Sequence, residues 1–198
     1  MLSTFNNCIS KLDNLTICID RSSSTYEKNI SLQIFASIFD FAATLQNNID
    51  IACFDTEIIH QALNLDNQSL KIYANHYLRP LPPPPKKGIG KGTNLILALD
   101  WLTNNIINKI KTNPNQRVIG LIFTDDESHK FKEDQLFGQV KDKCQQIKQM
   151  NGDLIIIQIL PTFNRSSEII RDKLNLNYNQ VLLFTNNNFE TNEIYRIC

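Results

Sequence analysis

Five stretches of this chain are dominated by apolar residues with no regular polar alternation: Leu15–Ile19, Asp50–Phe54, Val118–Phe123, Asp153–Leu160 and Gln180–Thr185. A strand with one face in water alternates apolar and polar side chains, whereas a run like these must be covered on both faces. Helical spacing fills the intervals. Ile30, Ile34, Ile38, Phe41 and Leu45 place one apolar face on Tyr26–Gln46, and Leu95, Leu99, Leu102 and Ile106 place another on a helix opened by Thr93. Leu136, Val140, Cys144 and Ile147 mark a further helix. Asp66–Tyr77 reads as a helix with an acidic N-cap, and Ser166–Leu174 and Phe189–Ile197 complete the helical set. After the Asp55-Thr56 turn, Glu57–Leu63 is expected to return antiparallel. The order predicts an α/β fold: a doubly wound, mostly parallel sheet with one antiparallel edge strand and helices on both faces.

A length of 198 residues fits one domain, with residues 1–14 as a lead-in and 15–198 as the domain proper. Twenty basic and twenty acidic residues cancel, so no basic stripe points to nucleic acid. No apolar stretch approaches the ~18 residues of a membrane span, and residues 1–14 lack the apolar core of a signal peptide. The five cysteines (Cys8, Cys18, Cys53, Cys144 and Cys198) are odd in number and widely spaced, which fits neither a disulfide framework nor a metal knuckle. A reducing, cytoplasmic setting is the expectation.

The stretch Leu15–Ser24 reads L-T-I-C-I-D-R-S-S-S. Its apolar run ends in Asp20, and hydroxyls follow at alternate positions, Ser22 and Ser24. Oxygen ligands gathered where a buried strand turns suit a hard cation such as Mg²⁺ or Mn²⁺. In wound sheets ligands collect beyond the carboxyl ends of the strands, and Asp125 stands at a second such end. Thr93 lies in Gly-Lys-Gly-Thr-Asn, downstream of the rigid Pro82–Pro85 segment, which reads as a spacer delivering it. The nearby glycines do not make a phosphate loop, because Gly92 separates Lys91 from Thr93.

Taken together, D-x-S-x-S at Asp20–Ser24, G-x-G-T-N-L before a helix, and an apolar strand ending in Thr124-Asp125 resemble the von Willebrand factor type A domain family and its metal-ion-dependent adhesion site. The order and separation of elements fit from about Leu15 to the C-terminus. The resemblance implies that Ser22 and Ser24 ligate the metal through their hydroxyls and that Thr93 ligates directly or through water. It implies that Asp20 and Asp125 act mainly through water and through hydrogen bonds to the ligating hydroxyls. The remaining position would take an Asp or Glu of a protein partner. One departure is Asp126-Glu127, where the family usually has Gly after the strand-end Asp.

The function so implied is a divalent-cation-dependent adaptor or scaffold module, not an enzyme, since no Ser-His-Asp or Cys-His set can be assembled. His60, His76 and His129 fall in separate segments without ligand spacing. The alternatives are a Mg²⁺-dependent hydrolase or phosphatase using Asp20, and a degenerate domain that binds no ion. Haloacid-dehalogenase-type phosphatases carry a second Asp two residues after the first, where this chain has Ser22.

Overall fold

Strand β1 (Asn14–Asp20) pairs in parallel with strands on both sides, β2 (Ile49–Phe54) and β4 (Val118–Thr124), which puts it inside the sheet. A computed structural model describes residues 14–22, 25, 47–78, 93–125, 134–160 and 165–185. The six-stranded sheet runs β3-β2-β1-β4-β5-β6, where β3 is Ile58–Leu65, β5 is Gly152–Leu160 and β6 is Val181–Thr185. Among the described strands, only the β2–β3 pairing is antiparallel. The chain first winds outward from β1 to β3, then returns to place β4 on the other flank of β1. This reversal between β1 and β4 is the position at which wound sheets bind ligands.

Helices α1 (Asn67–Tyr77), α2 (Leu95–Thr112), α3 (Gln135–Lys148) and α4 (Ser166–Leu174) connect the described strands. None of the described helices is long and apolar enough to cross a membrane. Alternate strand residues divide between two cores. Leu15, Ile17, Ile19, Ile119, Leu121 and Phe123 share one with Leu70, Tyr73 and Ala74 of α1. Cys18, Phe54, Ile122 and Ile156 share the other with Leu99, Leu102 and Ile106 of α2, Val140 and Cys144 of α3, and Ile170 of α4. Covered on both faces, β1 and β4 need no polar alternation, which explains their unbroken runs.

The expected elements that fall within the described residues are present with adjusted ends. β1 begins at Asn14 rather than Leu15, because its backbone N–H donates to the Arg117 carbonyl and its amide donates to Gln116 Oε1 at 2.7 Å. The antiparallel strand runs Ile58–Leu65 and is irregular, with positive φ at His60 (48°) and Asn64 (61°) and register shifts against β2. Such bulges break the alternation that would mark its ends in the sequence. Asp66 caps α1 by accepting from Ser69 N at 2.7 Å. α2 starts one residue after its cap, Asn94, whose Oδ1 accepts from Leu97 N at 3.1 Å; Thr93 therefore precedes the helix instead of opening it. On α3 the buried residue of the first turn is Phe137, while Leu136 is only partly covered. The helices expected over Tyr26–Gln46 and Phe189–Ile197, and the Pro82–Pro85 spacer, lie outside the described residues, as do Cys8, Cys198 and His129.

α2 lies so close to β4 that a Cβ on Gly120 would meet Ile106 Cδ1 at 2.3 Å and Leu102 Cγ at 3.2 Å. Gly120→Ala is therefore expected to destabilise the fold by roughly 1–3 kcal/mol through overpacking. Chemical denaturation tests this, and an unchanged midpoint would mean that the helix shifts away without cost.

Candidate metal centre

Asp20 ends β1 with its side chain almost fully enclosed, at 1% exposure. Both carboxylate oxygens are engaged. Oδ1 accepts from the backbone N–H of Ser22 at 2.8 Å, and Oδ2 accepts from the Thr124 hydroxyl at 2.7 Å. The first contact folds the Asp-Arg-Ser turn back onto its own strand. The second ties β1 to the end of β4 across the switch point. Each oxygen keeps a second lone pair for another donor or a cation.

The turn is held from below by Thr25. Its hydroxyl lies 2.8 Å from the Ser22 carbonyl and 3.1 Å from the Asp20 carbonyl, donating to both. Ser22 is buried by this closure. Ser24 lies outside the described residues.

Two successive carbonyls at the end of β2 bring the third segment alongside. Phe54 O accepts from Arg21 N at 2.7 Å, and Asp55 O accepts from Asn94 N at 2.7 Å. Thr93, half-buried, thus joins a residue anchored next to the Asp20 turn. The N-terminal end of α2, with its positive dipole, also lies at this edge of the sheet. Asp125 follows β4 directly and is 7% exposed. Asp20, Ser22 and Asp125 thus stand at the adjacent carboxyl ends of β1 and β4, Thr93 stands at the entry to α2, and Ser24 is not described.

The electrostatics follow from enclosure. Burial pushes the Asp20 carboxyl up to about 7, against the hydrogen bonds from Ser22 and Thr124, and the Asp125 charge pushes it the same way. With the Asp125 charge nearby, enclosure disfavours the ionised form of Asp20 unless a positive charge offsets it. Among the described residues, no three His, Cys, Asp or Glu side chains gather as a metal-binding group. A cation here would need hydroxyls as well as carboxylates.

Two contributors were not assigned roles from the residues alone. Thr124 was visible only as part of the Thr-Asp strand end, and its hydroxyl proves to be the link to Asp20. Thr25 follows the Ser-rich turn without any spacing that marks it. His60 and His76 take ordinary roles: His60 stacks on Tyr77 at 4.3 Å between ring centroids, and His76 lies beside the same ring. Trp101 donates to Gln61 Oε1 at 3.2 Å at the sheet edge.

No protein-family model and no curated protein matches this sequence. Solved structures do resemble it. Proximal thread matrix protein 1 from the mussel byssus superposes with a TM-score of 0.65 at 16% identity, over 94% of this chain and 46% of that one. The pilus adhesin SpaC from Lactobacillus rhamnosus GG, in its open conformation, gives 0.54 at 10% identity, over 93% and 29%. VWA2, an ArnB paralog from Sulfolobus acidocaldarius, gives 0.51 at 14% identity, over 93% and 43%. The chain spans less than half the length of each of these proteins. At such identities the likeness is one of fold, and the fold is that of a von Willebrand factor type A-like α/β domain.

Proposed function

We propose that this domain is a divalent-cation-dependent protein-interaction module. Ser22, Ser24 and Thr93 would hold Mg²⁺ or Mn²⁺, with Asp20 and Asp125 acting beside them. The donor set fits such an ion, since every group is an oxygen and the two carboxylates are enclosed. When bound, the ion supplies a Lewis-acidic position for an Asp or Glu of a protein partner. With hydroxyls supplying most of its direct contacts, it keeps much of its charge for that incoming carboxylate.

The observation that carries this reading is the clamping of Asp20 between Ser22 and Thr124 at the switch point, with Asp125 alongside. The fold agrees with it. One structural neighbour is a pilus adhesin and another a thread matrix protein, both by name concerned with attachment or assembly. Burial pushes Cys53 up to about 11 and Cys144 to about 12, as unreactive core thiols that take no part in the proposed site.

The test is affinity capture from source-cell extract in Mg²⁺, in chelator, and with Asp125→Ala. A partner retained only by the parent and only in Mg²⁺ is the expected outcome. Capture that survives both chelation and the substitution would remove metal dependence. Turnover of a generic phosphoester in Mg²⁺ that Asp20→Ala abolishes would replace this reading by the hydrolase.

A further inference from the structure

β5 is apolar along most of its length, with Leu154, Ile155, Ile156, Ile157, Ile159 and Leu160 buried. Gln158 interrupts it with an amide at 0% exposure. A carboxamide in such surroundings costs several kcal/mol unless its hydrogen bonds are made, on the order of 2–7 kcal/mol in the unpartnered limit. Position matters here more than cost.

Gln158 is the register partner of Thr124 across the β4–β5 ladder. On the other side of β4, Ile19 pairs with Phe123, so Asp20 and Thr124 stand one step further along the same register. Register neighbours on adjacent parallel strands point to the same face, about 4.8 Å apart. That face is the one covered by α2, α3 and α4, because the flanking Cys18, Ile122 and Ile156 belong to that core. Asp20, Thr124 and Gln158 therefore form one buried polar row across three strands. The row extends into a helix, since Gln158 Nε2 donates to Ser166 Oγ at 3.0 Å and Ser166 is the buried first residue of α4.

We infer that Gln158 and Ser166 are positioning residues for the cation site, acting through Thr124. This rests on the reading of Asp20 as part of a metal centre. The Thr124 hydroxyl has one proton, and it is committed to Asp20 Oδ2. Thr is β-branched, so its hydroxyl and methyl exchange places by a single χ1 rotation. The amide has a second N–H besides the one given to Ser166, and donated to the Thr124 oxygen it would leave that hydroxyl's own proton for Asp20. An apolar side chain in its place offers no such donor. Loss of the Thr124 bond would leave Asp20 held, among the described residues, by Ser22 alone, and less firmly aimed into the site.

The experiment is calorimetric titration with Mg²⁺ of the full chain, of Gln158→Met and of Ser166→Ala, with folding checked by circular dichroism. Gln158→Met keeps the volume and removes the amide; Ser166→Ala leaves the strand untouched. Each is expected to weaken Mg²⁺ by about 3- to 10-fold, at or below the range seen when groups behind a metal's own ligands are removed. The double variant should lose little more than the worse single one, because both act through one hydroxyl. Ile156→Val, in the same strand and core, should leave the affinity unchanged. If the parent binds Mg²⁺ and both folded variants bind it equally well, the positioning role is overturned. If the parent itself binds no cation, the metal-centre reading fails first and the inference falls with it.

Discussion

In a chelating buffer the folded protein is expected to lose stability as pH rises from about 4 to about 7, by as much as ~4 kcal/mol. The cause is Asp20. Burial raises its carboxyl from 3.8 to about 7, with Asp125 adding to the effect and the Ser22 and Thr124 hydrogen bonds opposing it. Below about pH 4 both the folded and unfolded chains hold this proton, and the burial penalty is absent. Between the two values the unfolded chain gives it up while the folded one keeps it, so each step in pH favours unfolding. Above about 7 both are ionised and the loss is complete. Urea melts at pH 4, 5.5, 7 and 8 on the parent and on Asp20→Asn isolate the contribution, because other titrating groups are common to both. The variant should show the shallower slope. Mg²⁺ at a hundredfold excess over its Kd should return about 2.7 kcal/mol to the parent above pH 7. Equal slopes for the two proteins would mean that Asp20 is not the group responsible.

Lys109→Met is expected to destabilise the domain by about 3–5 kcal/mol, because it leaves a buried carboxylate without its counter-charge. Asp50, in β2, is enclosed, and its Oδ2 lies 3.1 Å from the Lys109 ammonium of α2. Its Oδ1 accepts from Asn64 N at 2.8 Å, at the positive-φ kink of β3. One side chain thus joins a helix, an inner strand and the irregular edge. Replacing both members of the pair by apolar residues should recover much of the loss, since the second substitution removes the stranded charge. Denaturation of the two single variants and the double variant measures this. A single-variant loss below about 1 kcal/mol would show that water reaches Asp50 in place of the lysine.

The parallel strands were legible because burial on both faces leaves a mostly apolar run without regular alternation, as in β1, β2, β4 and β5, where polar residues such as Thr16, Asp50 and Gln158 stand singly. The antiparallel strand was legible in kind but not in extent. Its kinks at His60 and Asn64 displace the residues that alternation would have placed. Asp20 and Asp125 stood out as carboxylates closing apolar runs, a pattern that depends only on local order. The Asp20–Thr124 hydrogen bond and the Asp50–Lys109 pair did not, because each joins distant segments through side chains whose facing is set by register. Gln158 is the plainest case. In the sequence it is one polar residue in an apolar strand, and only the ladder with Thr124 shows where it lies. The helix expected to open at Thr93 is present, but its cap is Asn94, whose carboxamide oxygen accepts from Leu97 N, so Thr93 lies before it.

The most direct measurement is calorimetric titration of Mg²⁺ and Mn²⁺ into the purified parent, alongside Asp20→Ala and Ser22→Ala variants shown to be folded. Saturable binding of one ion per chain, weakened at least ~10-fold by either substitution, is the result expected if this sheet edge holds a divalent cation. A folded parent that takes up neither ion, or variants that bind as tightly as the parent, would contradict it.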